Sequence, residues 1–280
     1  MTPDAPIPYP RLRFLGTGTS TGVPSFFCDC SACEEARQNP RLSRGCSSVL
    51  IQSESRATPQ NTLHSSTLHN TLIDTAPELR EQLNAAQVRD IDALLFTHEH
   101  HDHVAGLGAL EYYSKLRRKQ PLPVYATEQV ISYLKIHFDF MAECLAFIAI
   151  KPFEPFELGG ITYLGLPATH NPHALGYLIQ GSTAYFPDSA RLAPEVEAHV
   201  RGIGTIIFDA TFNGSNWMPK AHMTTDTAVS YLQELDCGRG YLTHLALSYD
   251  TPITAAQLDE RLAPLGGRIQ AAYDGLAIPL

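Results

Sequence analysis

His98 to His103 read HEHHDH, four imidazoles and two carboxylates, Glu99 and Asp102, directly behind the apolar run 91–96. In an extended segment His98 and His100 project to the same side, so both can grip one cation. The turn that follows carries Asp102 and His103 toward a second. Mixed imidazole and carboxylate ligation suits zinc, manganese or iron in a hydrolytic centre. The competing reading is a solvated histidine-rich turn, but this many polar groups behind a buried strand cost desolvation unless something neutralises them. A second cluster, Cys28-Asp-Cys-Ser-Ala-Cys33, places three thiols within one short turn. A C-x-C pair closes too tight a ring for a disulfide and leaves a thiol over. Three thiolates on a turn suit a structural zinc, which wants a fourth ligand to complete its tetrahedron. Buried reduced thiols are the bland alternative.

Such clusters need a scaffold to position them. The chain of 280 residues is 44% hydrophobic and 18% charged, enough to bury a sizeable core and to exclude disorder as its main state. A formal charge of −9 argues against a protein that coats duplexes or anionic lipid. The longest basic run, KLRRK at 115–119, falls within helical periodicity and reads as a solvated face. No apolar run approaches the ~18 to 20 residues of a spanning helix. The start MTPDAPIPYPRLRF lacks the charged and apolar regions of a secretory signal, so the expected location is the cytoplasm, where disulfide staples are not needed.

Short strand-like runs occur at 11–15, 48–51, 71–73, 91–96, 124–126, 161–166, 176–179, 184–186, 205–208, 240–242 and 269–272. Helical periodicity occurs at 77–86, 104–119, 128–142, 194–199, 225–235 and 254–265. There is no internal repeat or linker, so 1–280 reads as a single domain. The polar stretch 53–70, rich in Ser, Thr and Asn, reads as a hairpin insertion, with His64 and His69 solvent-exposed.

The pattern His-x-His-x-Asp-His behind a strand resembles the signature of the metallo-β-lactamase superfamily. His170 in LPATH, Asp188 in AYFPDSA and His244 in YLTHLA each follow a short apolar run and match that family's later ligands. The opening FLGTGTSTGVP at 14–24 is similar to its first strand and Gly-rich turn. The resemblance implies an α/β fold, a four-layer αββα sandwich of two mixed sheets with helices on the outer faces. It implies that His98, His100 and His170 hold one divalent metal, that Asp102, His103 and His244 hold another, and that Asp188 bridges them. Asp74 in TLIDTAP would orient imidazoles from behind.

The C-x-C-x-x-C turn, the pair Cys46-Ser47 and the late Asp274-Gly275 resemble a narrower group. This group contains the carbon-phosphorus lyase accessory phosphodiesterases, which act on phosphoribosyl 1,2-cyclic phosphate, and more distantly the pyrroloquinoline quinone biosynthesis B proteins. The quinone-pathway relatives lack a complete ligand set, which this chain keeps. One position departs from the phosphodiesterase pattern: Leu247 stands where a histidine completes the cysteine site. Either Cys46, His173 or another group supplies the fourth ligand to a structural zinc on Cys28, Cys30 and Cys33, or that site is weaker or holds no metal.

His222 in PKAHMTT matches a histidine that assists the leaving group, although a surface histidine would look the same. The implied chemistry is a two-metal attack by hydroxide on a cyclic or other small phosphodiester. Two zinc or manganese ions lower the pKa of a bridging water toward ~7 and clamp the phosphoryl group, and Asp188 and His222 take part in catalysis. Lys220, Arg191 and Arg44 lie near the motif loops in sequence and are candidates to face phosphate. The expected partner is a small phosphodiester, with neither nucleic acid nor membrane, and with a homodimer as the allowed assembly. The alternatives are a non-catalytic metal-containing carrier and a hydrolase of another ester class, a thioester or an RNA 3′ end; no basic docking arm for RNA is evident.

Overall fold

The structure is a computed structural model that describes residues 7–54 and 68–280. The strands are β1 (Arg11–Gly16), β2 (Ser48–Glu54), β3 (Leu68–Ile73), β4 (Ala93–Leu95), β5 (Leu122–Ala126), β6 (Leu145–Ala149), β7 (Pro155–Leu158), β8 (Ile161–Pro167), β9 (Leu175–Ile179), β10 (Thr183–Phe186), β11 (Thr205–Asp209), β12 (Arg239–Thr243), β13 (Ile269–Ala271) and β14 (Ala277–Pro279). They form two seven-stranded sheets, ordered β14-β1-β2-β3-β4-β5-β6 and β13-β12-β11-β10-β9-β8-β7. Each sheet is mixed: β3 to β6 and β10 to β13 run parallel, and the remaining pairings are antiparallel.

Alternation along each strand explains the layering. Phe14, Val49, Ile51, Leu95, Tyr185, Ile207 and Tyr241 point between the sheets into one core. Their neighbours Leu50, Leu72 and Leu94 point outward under α2 (Leu79–Ala85) and α4 (Glu128–His137). Phe186, Ile206, Phe208 and Leu242 point outward under α1 (Ser31–Gln38), α5 (Pro194–Val200), α6 (Thr225–Glu234) and α7 (Ala255–Leu262). Central strands buried on both faces read as continuous apolar runs, which is why they were legible without strict alternation. The result is the four-layer αββα sandwich. Capping boxes start α6 at Thr224 with Thr227 and α7 at Thr254 with Gln257. Among the described residues no helix is long and apolar enough to cross a membrane.

Several local expectations need correction. Strands β6, β7 and β14 and helix α1 have no counterpart in the sequence reading, and all three strands are sheet edges with a single neighbour to pair and little apolar surface to bury. The expected helix over 104–119 is instead the short α3 (His101–Val104), a 3-10 segment Ala105–Leu110 and a π segment Tyr113–Arg118. Its continuity fails at Gly106, whose amide donates to the Thr75 carbonyl at 2.9 Å and not within a helix. The helix over 128–142 stops at His137. Of the expected insertion at 53–70, residues 55–67, including His64, lie outside the described residues. His69 is half-buried, not solvent-exposed, and packs over Gly159.

A Cβ added at Gly106 would stand 2.0 Å from the Ala76 carbonyl oxygen and 2.7 Å from Leu79 Cβ. Neither neighbour can rotate away, so Gly106→Ala should cost on the order of 1–3 kcal/mol as an overpacked site. Thermal unfolding checks this: a midpoint equal to that of the parent chain would contradict the close approach.

Candidate metal centre

The site forms where parallel strands of both sheets end, the general position for ligands in open α/β sheets. Asp74 follows β3, His98 follows β4 by a short extension, and Asp188 and His244 follow β10 and β12. His170 follows β8, and the HEHHDH turn leads into α3. The backbone at Asp74 (φ 64°) and His244 (φ 56°) is left-handed, a conformation that costs non-glycine residues of order 1–3 kcal/mol and clusters at functional sites.

Ligand-type atoms gather in overlapping groups, each within 4.8 Å: His98, His100 and His170; Asp102, His103 and His244; and His98, His103 and Asp188. Asp188 spans the first two sets. Its Oδ2 is 3.0 Å from His103 Nε2, and its Oδ1 is 3.3 Å from His244 Nε2 and 4.0 Å from His170 Nε2. Asp102 Oδ2 is 3.6 Å from His103 Nε2 and 3.5 Å from His244 Nε2. His170 Nε2 stands 3.0 Å from His100 Nδ1.

Hydrogen bonds on the far side of the rings fix which nitrogen faces the centre. Asp74 Oδ2 accepts from His103 Nδ1 at 2.8 Å and from Thr97 Oγ1 at 2.8 Å, and Thr97 Oγ1 in turn accepts from His98 Nδ1 at 3.0 Å. Asp74 Oδ1 accepts from the Thr97 amide at 2.8 Å. Across the site, Asp209 Oδ1 accepts from Thr211 Oγ1 at 3.0 Å, and Thr211 Oγ1 accepts from His244 Nδ1 at 2.8 Å. The Ala221 carbonyl accepts from His170 Nδ1 at 3.2 Å. The rings of His98, His103, His170 and His244 therefore donate backward and present an Nε2 lone pair inward, the arrangement of metal-ligating histidines, while His100 turns its Nδ1 toward His170.

Those inward atoms supply a direct test of fit. Nε2 of His98, His103 and His244 and Oδ2 of Asp188 are buried with no hydrogen-bond partner. Buried polar atoms are normally satisfied, so a converging set of orphans fits divalent cations. The electrostatics agree. Burial and the adjacent imidazoles hold His98 well below the ordinary histidine pKa, and burial lowers His170. At His103 burial is outweighed by Asp188, Asp102 and Asp74, which raise it. Against burial, His244 and His103 keep the Asp188 carboxyl well below the usual carboxylate range.

His222 sits beside this set, stacked on His244 at 5.3 Å between centroids. Its Nδ1 donates to Asp209 Oδ2 at 2.6 Å, and that bond outweighs burial and raises the His222 pKa. Asp209 also accepts from the Met223 amide at 3.1 Å. The sequence reading missed Asp209. The available signal was its place at the end of an apolar run, like Asp74 and Asp188, but nothing local ties it to His222, 13 residues on.

Two candidate phosphate cations lie elsewhere. Arg44 is buried and donates to Thr17 Oγ1 and to the Ala272 carbonyl. Arg191 pairs with Glu197 and Glu234 over the Tyr231 ring. Lys220 is exposed on the loop that carries His222. In KLRRK, Lys115 and Arg117 are exposed and pair with Glu111 and Asp90.

The three sulfurs of Cys28, Cys30 and Cys33 lie within 4.8 Å of one another, at the start of α1. Cys33 Sγ accepts from the Ser25 amide at 3.3 Å. Among the described residues no fourth Cys, His, Asp or Glu joins this group, neither Cys46 nor His173, and Leu247 is buried in the outer core of the second sheet.

A family model described as the beta-lactamase superfamily domain matches residues 69–245, and the chain belongs to the metallo-β-lactamase superfamily. Within it, the crystal structure of a new diphosphatase from the PhnP family superposes with a TM-score of 0.80 at 28% identity, covering 96% of this chain and 97% of that one. The coenzyme PQQ synthesis protein B of Methylobacterium radiotolerans is 25% identical over 320 residues, covering 96% of this chain and all of that protein. The zinc-bound PqqB of Methylobacterium extorquens has a TM-score of 0.71 at 23% identity over 96% of this chain and 100% of that one, a likeness of fold. An octanoyltransferase of Porphyromonas gingivalis is 28% identical over 277 residues, 95% of this chain, and the chain spans about half (51%) of its length.

Asp74→Ala should free the rings of His98 and His103 to turn and weaken metal affinity roughly 10- to 100-fold, as for other residues behind metal ligands. Competition with a chromophoric chelator measures this; unchanged affinity would mean the imidazoles are held in place without it.

Proposed function

We propose that this chain is a dinuclear metal-dependent phosphodiesterase acting on a small diester, with a phosphoribosyl cyclic phosphate as the leading candidate. The observation that carries the reading is the pair of histidine-rich groups whose unpartnered atoms converge on either side of Asp188. His98, His100 and His170 would hold one ion, Asp102, His103 and His244 the other, and Asp188 both. Two bound cations, zinc or manganese, would supply an activated water and a clamp for phosphoryl oxygens.

The residues do the rest. Asp74 and Asp209 hold the ring orientations through Thr97 and Thr211. His222 donates its Nδ1 proton to Asp209, a bond that raises its pKa and favours the imidazolium, whose second proton, on Nε2, would be the one handed to the departing alkoxide. The likeness to a diphosphatase over nearly its whole length favours phosphoryl chemistry. The octanoyltransferase name belongs to a much longer chain, and acyl transfer is not carried over from it.

The test is hydrolysis of bis(p-nitrophenyl) phosphate, a ribose 1,2-cyclic phosphate and a thioester by metal-loaded protein. Diester turnover without thioester turnover is expected. No diester turnover would leave the metal-containing carrier, and thioester turnover alone would point to another ester class.

We further propose zinc on Cys28, Cys30 and Cys33, with its remaining position filled from outside the side chains named here. Metal analysis should give about three equivalents per chain, and Cys30→Ser about two, with the hydrolytic ions kept. About two in the parent chain would mean that Leu247 has cost the cysteine site its metal.

A further inference from the structure

Beyond His222 the contacts continue through aromatic rings. Phe212, buried, meets His222 edge-on at 6.0 Å between centroids and Trp217 edge-on at 4.4 Å. Trp217 in turn lies 5.3 Å from Tyr249. The Tyr249 hydroxyl is 3.2 Å from Thr19 Oγ1 and 3.3 Å from Thr21 Oγ1, so the Gly-rich turn holds it. Trp217 is nevertheless 53% exposed.

The loop beneath is fixed. Asn216 Nδ2 donates to the His222 carbonyl at 2.9 Å, the His222 amide donates to the Met218 carbonyl at 3.0 Å, and the Ala221 carbonyl accepts from His170. A loop held by these bonds therefore carries a half-exposed indole one ring beyond the proposed proton donor. Exposed apolar surface on the rim of a polar site marks ligand contact, and indole is the best side chain for stacking a flat ring.

We propose that Trp217, backed by Tyr249, is a specificity-determining platform on which the nucleobase of a nucleotide-containing diester stacks. This rests on the phosphodiesterase reading: Trp217 stands two ring contacts from His222, through the edge of the buried Phe212, within the span of a nucleotide leaving group. A bare sugar phosphate would fill the metal centre and leave the indole uncovered. Lys220, three residues along the same loop, carries the cationic charge available to the nucleotide's second phosphate or carboxylate.

Trp217 is the one tryptophan of the chain, so its fluorescence reports the platform directly, with or without turnover. The full chain is titrated with adenosine 5′-monophosphate and with ribose 5-phosphate, metal-free and zinc-loaded, and affinities are repeated calorimetrically for Trp217→Ala and Trp217→Phe. Base stacking predicts saturable quenching by the nucleotide alone and tighter binding of it than of the sugar phosphate, roughly 5- to 150-fold, a preference lost in Trp217→Ala and largely kept in Trp217→Phe. Equal affinity for the two ligands, or a preference that survives in Trp217→Ala, overturns the proposal. Diester hydrolysis with equal affinities would sink the platform alone. Nucleotide-selective quenching without any diester hydrolysis would keep the platform and sink the phosphodiesterase.

Discussion

Asp188→Ala is expected to lower diester hydrolysis by at least ~10³-fold, because several kcal/mol of transition-state charge stabilisation come from a correctly held metal pair and each 1.4 kcal/mol is a factor of ten. Among the described residues no other carboxylate touches both histidine sets. Asp188 lies 3.0 Å from His103, 3.3 Å from His244 and 4.0 Å from His170, touching both histidine sets, whereas Asp102 reaches only His103 and His244. Without it the two groups of imidazoles face each other with no anion between them, and like-charged cations would repel across the gap. Metal content should fall with activity. The checks are kcat on bis(p-nitrophenyl) phosphate and metal per chain, with the thermal midpoint of the metal-free variant as the folding control. Parent-level turnover in Asp188→Ala would contradict the bridging assignment.

His222→Ala should lose about 10²- to 10⁴-fold in kcat on a diester whose leaving group is an alkoxide, the usual worth of general acid catalysis. On a p-nitrophenyl ester the loss should be far smaller, because that phenolate departs without a proton. Asp209→Asn should show the same leaving-group dependence with a loss of roughly 10- to 100-fold, since it acts by orienting the ring. The comparison also decides between two roles. His222 shares a 4.8 Å group with Asp188, Asp209 and His244, so it could instead serve as a ligand. In that case both leaving groups would suffer alike and metal content would drop. Equal losses would remove the proton-donor role.

The fold was legible wherever a strand is covered on both faces. Leu94 to Phe96 and Ile206 to Phe208 are apolar at every position because helices cover one face and the opposing sheet the other. The edge strands β6, β7 and β14 carry no such signal. In β6, LAFIA, the last two residues are exposed, and β7, PFEL, begins with an exposed proline. The helical periodicity of 104–119 was real as a pattern, but the close contact of Gly106 with the segment behind Asp74 broke it into short turns.

What the sequence determined by itself was which residues could do chemistry. HEHHDH, the C-x-C-x-x-C turn and the lone residues after apolar runs are local patterns, and local spacing dictates where a ligand can point. Only the tertiary structure decided how those residues are used. It placed Asp209, absent from the sequence reading, behind His222 and, through Thr211, behind His244. It committed Arg44 and Arg191 to other partners, brought no fourth ligand to the three cysteines among the described residues, and set a half-exposed Trp217 against Phe212. The physical reason is that ring orientation, ion pairing and burial depend on groups far apart in the chain. Asp74 and His103 are 29 residues apart, and Arg44 and Ala272 are 228, so no window of sequence contains both partners.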